Sequence, residues 1–142
     1  WASHILEHLH TREVEDVLKN IHRVIKNDGV GILIVPDLKC LVDKLSKGEI
    51  HKELYTSSMG SITPMDMIYG ATIISKDKEY MMHKTGFTEE YVIDLLKVLK
   101  LHGYVNSDGS NIFIILSKSP IDELCVNIDN VINDFYRWIT PH

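Results

Sequence analysis

The sequence predicts an α/β domain, a piece of a doubly wound sheet that ends in an antiparallel edge. Three observations carry this prediction. An amphipathic helical pattern runs directly into Val30-Gly31-Ile32-Leu33-Ile34-Val35, a run that is apolar without alternation and too short for a helix. Such a run reads as a strand buried on both faces, and a helix feeding it implies a parallel sheet. A second helical period returns at Thr88. After it, residues 104–106 and 111–117 flank Ser107-Asp108-Gly109-Ser110, whose Asp-Gly pair is a hairpin signature.

Taken in order, Val14, Val17, Leu18, Ile21, Val24 and Ile25 fall on one face of the first helix. Thr11 is placed to cap it, Glu13 and Glu15 suit the positive end of its dipole, and Lys26 with Asn27-Asp28-Gly29 makes a stop. The buried strand follows and closes at Pro36-Asp37. Residues 38–86 read as a long insertion: 38–50 can hold a helix, 55–63 is rich in Ser, Thr and Gly, and all five Met cluster within it. Thr88 then caps a helix whose inner face is Val92, Leu95, Leu96 and Leu99, with Phe87 positioned to staple onto Val92 and Gly103 as its C′ residue. The tail is a further amphipathic helix, with Pro120 at its first position and a stripe of Ile121, Leu124, Cys125, Ile128, Val131, Ile132 and Phe135, continued by Trp138 and Ile139. The division expected is 1–118 as one domain with the insertion 38–86, and 119–142 as a helix packing on it or on a partner. No internal repeat or low-complexity tract interrupts this order.

With 142 residues, one compact domain is the default, and about 70% of the unfolded surface can be buried. Fifteen Lys and Arg against twenty Asp and Glu give a net charge of −5, which argues against a phosphate-backbone binder, so no nucleic-acid partner is expected. The apolar runs fall far short of the roughly 20 residues of a membrane helix, so no span is expected, nor a signal peptide at the amino end. Only Cys40 and Cys125 are present, in no paired spacing, which fits a reducing compartment; the expected location is cytoplasmic.

Trp1-Ala2-Ser3-His4-Ile5-Leu6-Glu7-His8-Leu9, the Val14 helix with Ile21-His22-Arg23-Val24-Ile25-Lys26, and Gly29-Val30-Gly31-Ile32-Leu33-Ile34-Val35-Pro36-Asp37 together resemble class I S-adenosylmethionine-dependent methyltransferases. In that family this stretch is the end of strand four, helix D and strand five. His83-Lys84-Thr85-Gly86-Phe87-Thr88 with Leu101-His102-Gly103-Tyr104 resembles the family's last helix and its lead into the hairpin of strands six and seven. The resemblance spans residues 1–118 outside the insertion. It implies a partial Rossmann-like sheet, with strand four cut to a stump, and methyl transfer from S-adenosylmethionine as the activity. The family holds that cofactor mainly with a Gly-rich loop and an acidic residue at its first two strands. Neither is present; the one G-x-G, Gly29-Val30-Gly31, follows a helix and opens a strand, the reverse of the required context. The expectation is therefore the carboxy-terminal half of a methyltransferase domain, short by about three strands, which binds little or no cofactor and is inactive alone.

By resemblance, Ala2, Ser3 and His4 line the methyl-bearing side of the cofactor at the end of strand four; the alternative is a frayed terminus. Asp37, just past strand five, and His83, ahead of the last helix, are the candidate catalytic bases, since either can take a proton from an acceptor hydroxyl or amine. Asp37 also reads as a cap after Pro36. Tyr55, Tyr69 and Tyr80 with the Met residues suggest either an acceptor pocket or ordinary apolar filling. His4-Ile5-Leu6-Glu7-His8 matches the H-x-x-E-H arrangement of some zinc peptidases, which would make the chain a zinc hydrolase, but it needs a helix through His4 and a third ligand, so no metal is assigned. The last reading is non-enzymatic. A bare strand-five edge would pair with a second copy, giving a homodimer or interaction module through that edge or the last helix.

Overall fold

The computed structural model describes residues 1–57, 60–71, 79–121 and 127–139, with all their side chains except those of Phe135, Tyr136, Trp138 and Ile139. It is a mixed α/β structure with a four-stranded mixed sheet and a two-stranded antiparallel sheet. β1 (Ala2–Ser3) leads through a single 3₁₀ turn (Leu6–His8) into α1 (Thr11–Val24) and β2 (Val30–Pro36). α2 (Leu38–Ser46), β3 (Tyr55–Ser57), β4 (Gly60–Ile62) and α3 (Pro64–Tyr69) fill the inserted segment. α4 (Glu89–Leu99), β5 (His102–Ser107), β6 (Asn111–Ser117) and α5 (Ile128–Ile139) complete the chain.

The sheet order is β1-β2-β6-β5. β1 and β2 are parallel, with Ala2 opposite Leu33 and Ser3 opposite Ile34, so the start of the chain is paired and not frayed. β6 runs antiparallel to both β2 and β5, with Ile114 opposite Leu33 and Val105. The predicted hairpin exists, but its second strand sits inside the sheet against β2. β2 is therefore covered on both sides, and the bare strand-five edge expected from the sequence is not there. The edge strands are β1 and β5.

β2 is buried on both faces as predicted, and its alternating residues enter two cores. Leu33 and Val35 join Val14, Leu18, Val92, Leu96, Ile112, Ile114 and Leu116 beneath α1 and α4, while Ile34 meets Phe113 and Ile132 beneath α5. Gly31 packs closely beneath the end of α1: a Cβ there would lie 2.8 Å from Ile25 Cδ1, a side-chain tip that would have to shift. That accounts for half of the G-x-G without any ligand.

Several helix ends differ from the sequence prediction. α1 is capped at His10, whose N–H donates to Glu13 Oε2 at 2.7 Å, one residue before Thr11. α4 starts as predicted, with Tyr91 N donating to Thr88 Oγ1 at 3.2 Å. It ends at Lys100, which takes the left-handed conformation itself (φ 54°), while Gly103 lies inside β5, where a Cβ would come within 2.9 Å of Ile115 O. α5 begins at Ile128, with Asn127 Oδ1 accepting from Asn130 N, and not at Pro120. Leu124 and Cys125 of the predicted stripe lie outside the described residues; Cys40 is a free thiol on α2. Among the described residues no helix is long and apolar enough to cross a membrane.

Candidate functional site

Parallel strands leave their carboxyl ends at one edge of a sheet, which is where open α/β sheets bind ligands. β1 and β2 end there. Beyond Ser3 the chain reverses sharply: His4 takes a left-handed backbone (φ 54°), held by its N–H to Ile34 O at 2.9 Å. A non-Gly residue in that conformation is uncommon and is retained where surrounding contacts fix it. The turn aims His4 Nδ1 at Glu7 Oε1, 3.0 Å away. His4 is therefore on no helix, and the helical H-x-x-E-H geometry of a zinc peptidase is absent.

Glu7 is the centre of the site. Its side chain is only 1% exposed, and its Oε2 is buried without a hydrogen-bond partner. A buried carboxylate oxygen left unpaired is costly, so such a group calls for an explanation. The backbone carbonyl of Glu7 meanwhile accepts from Lys84 N at 2.7 Å and Thr85 N at 3.1 Å, and Thr85 Oγ1 donates to Leu9 O at 2.7 Å. These bonds dock the end of the insertion onto the 3₁₀ turn and bring His83 beside it.

His83 and His8 meet edge to face, ring centroids 4.8 Å apart. Each is oriented by a backbone carbonyl: Met67 O lies 2.8 Å from His83 Nδ1, and Met82 O lies 3.2 Å from His8 Nδ1. A carbonyl only accepts, so Nδ1 carries a hydrogen in both rings, and in the neutral tautomer the lone pair is then on Nε2. Burial pushes the His83 pKa below the usual histidine value, against the opposing pull of Glu7, and so favours the neutral ring. A Glu7 carboxylate oxygen and one ring nitrogen from each of His8 and His83 lie within 4.8 Å of one another.

Two cavities meet at this cluster. One, of about 230 Å³, is lined by Glu7, Leu38, Met67, Tyr69, His83 and Phe87 among others. The second, of about 180 Å³, is bordered by His4, Glu7, His8, Asp66, Met81 and His83 among others. Glu7, Met67 and His83 are common to both. Of the residues singled out in the insertion, Met67, Tyr69, Tyr55 and Met81 thus reach the walls, while Tyr80 is 82% exposed.

Asp37 takes a different place. It is 5% exposed; Oδ1 accepts from Lys39 N at 2.9 Å as the cap of α2, and Oδ2 accepts from Ser107 Oγ at 2.6 Å. Its N–H donates to Ser110 O, and its neighbour Leu38 donates to Phe87 O. Both carboxylate oxygens are thus engaged in joining β2, α2 and the β5–β6 turn, the arrangement of a structural cap. Of the three residues at the end of strand four, Ala2 packs toward the larger core, Ser3 is half-buried in the ladder, and His4 turns to Glu7.

Sequence reasoning named His4 and His83 but gave Glu7 and His8 no role outside the peptidase motif. Glu7 had one legible signal, a carboxylate in a stretch otherwise forming core turns; His8 had only its place beside it. In comparisons with protein-family models, curated proteins and solved structures, none matches this chain.

Proposed function

We propose that these residues form the acceptor-facing part of an S-adenosylmethionine-dependent methyltransferase, with the cofactor's Gly-rich cradle supplied from outside them. The reading is carried by one observation: His4, Glu7, His8 and His83 converge where the parallel strands β1 and β2 end, beside a cavity of about 230 Å³. A methyl acceptor held in that cavity lies next to His83 Nε2. S-adenosylmethionine, when bound, would supply an electrophilic methyl group, and His83 would take the proton that the acceptor's oxygen or nitrogen gives up. General-base help of this kind contributes roughly 10² to 10⁴ in rate. Positioning of donor and acceptor contributes the larger share, and the cradle is needed for it.

Two measurements test this. Calorimetry of the 142-residue chain with S-adenosylmethionine and S-adenosylhomocysteine is expected to give no micromolar binding; a micromolar constant means that the cradle was misplaced. The chain joined to whatever its gene encodes upstream of Trp1 is expected to transfer labelled methyl to a hydroxyl or amine acceptor, with a loss of about 10² or more in His83→Ala. No transfer from the complete product overturns the reading.

A second reading, an interaction module, is favoured by one surface. β1 is an edge strand, and beside it Trp1 and Val24 are 63% and 66% exposed around a cavity of about 270 Å³ that Ile21, Ile25 and Ile32 also line. An apolar edge of this kind suits pairing with a second copy. Light scattering at micromolar concentration is then expected to report twice the 16.3 kDa of the chain; a monodisperse monomer ends this reading.

A further inference from the structure

We propose that Glu7, His8 and His83 bind one divalent first-row transition ion, with His4 as the residue that positions the carboxylate. The proposal stands independently of the methyl-transfer reading. Two imidazoles and one carboxylate are a donor set that suits zinc, cobalt or iron, and three protein ligands leave a coordination position open. The second cavity, bordered by His4, Glu7, His8 and His83, gives that position room for water or a substrate oxygen.

Three features distinguish this cluster from an accidental grouping of polar side chains. The first is Glu7 Oε2, buried and unpartnered although the side chain is only 1% exposed. An ion supplies the missing partner and offsets the desolvation of the carboxylate. The second is that both imidazoles are already fixed in the orientation a metal needs: Nδ1 is bonded to a backbone carbonyl at Met82 or Met67, and Nε2 remains as the ligand. Metal-binding His side chains are commonly held by such a bond on the other ring nitrogen. The third is His4, whose Nδ1 occupies Glu7 Oε1 at 3.0 Å and so leaves Oε2 as the oxygen open to an ion.

The distances are compatible with loading. Three donors no more than 4.8 Å apart lie at most about 2.8 Å from their common centre, against ligand distances of about 2.0–2.2 Å to zinc. Each donor closes by roughly 0.6–0.8 Å, a movement within reach of side-chain torsions. With an ion bound, His83 would serve as a ligand and no longer as a base, and the ion would supply Lewis-acid polarisation of an oxygen at the open position.

The test is titration of the metal-free chain with Co²⁺ followed by its visible ligand-field bands, then competition with Zn²⁺, with no S-adenosylmethionine present. One equivalent is expected to bind saturably. His4→Ala is expected to weaken binding by roughly 10- to 100-fold, as for a residue that orients a ligand, and His4→Gln, which keeps a donor to Glu7, to recover most of that loss. His8→Ala and His83→Ala are expected to weaken it further than His4→Ala. His8 is half-buried on a short turn, so His8→Ala keeps the fold, as circular dichroism of the metal-free variant checks. Absence of saturable bands in the wild-type chain overturns the proposal. So does an affinity within about twofold of wild type in both His8→Ala and His83→Ala, which would assign the ion to others of the eight His. Because the readout involves no methyl transfer, its failure leaves the methyltransferase reading where it stood, and the converse holds.

Discussion

The four-stranded sheet and the inserted segment between β2 and α4 are built on different scales, and the site lies where they meet. In the sheet, Leu33, Val35, Ile112, Ile114 and Leu116 are all at most 1% exposed and share one cluster with α1 and α4. The insertion gathers only Leu41, Ile62 and Met67 into a core of its own, at 2%, 6% and 7% exposure. Glu7 and His4 belong to the sheet side, fixed by the strand ends; His83 belongs to the insertion side, held by Met67 O and Tyr69 O. A rigid half thus presents the carboxylate, and a thinner half brings the imidazole to it. The difference teaches that the geometry of the cluster depends on how firmly the insertion docks, more than on the sheet.

Ile114→Ala should give the largest effect, a loss of about 4 kcal/mol in urea denaturation, because the residue is 1% exposed at the centre of the sheet. Met67→Ala should lose about 2 kcal/mol, the low end for such a truncation, because a small core at the surface can collapse around the gap. It should also shift the His83 ring resonances, which Ile114→Ala at matched folded fraction should not. Equal losses from the two substitutions would erase the contrast between the halves. Asp37→Ala removes the α2 cap and the partner of Ser107 at the joint between the halves, and should lose about 1.5 kcal/mol. If Asp37 acts only as that joint, Asp37→Ala placed in a protein that also carries the cofactor cradle keeps methyl transfer within a few-fold of wild type; a drop of 10² or more there would restore Asp37 as a base. Smallest and opposite in sign, Lys100→Gly should stabilise by about 0.5–1 kcal/mol in the same denaturation, since it relieves a left-handed backbone at the end of α4 far from the cluster.

Much of the sheet was legible because its signals are local. The unbroken apolar run of β2, the Asp-Gly turn before β6 and the Thr88 cap each act over fewer than about ten residues, the range over which backbone periodicity and capping operate. Helix ends were less legible: α4 closes on a left-handed Lys100 while Gly103 lies inside β5, and α5 starts at Ile128 on an Asn127 cap, not at Pro120. The β3–β4 hairpin in the insertion had no readable alternation, being three residues a strand.

From residue pattern alone came the α/β class, the buried strand, the helix before it, the helix capped by Thr88 and the antiparallel hairpin, together with His4 and His83 as chemically interesting positions. It took the three-dimensional packing to bring β6 between β2 and β5, to make Asp37 a cap with both oxygens engaged, and to set His83 against Glu7 and His8, which lie 76 and 75 positions earlier in the chain. Periodicity reports which face of an element is apolar, but it carries no information on which distant segment docks there. That choice rests on backbone hydrogen bonds such as those from Lys84 and Thr85 to the Glu7 carbonyl, which every residue type but proline can donate and no side-chain pattern announces.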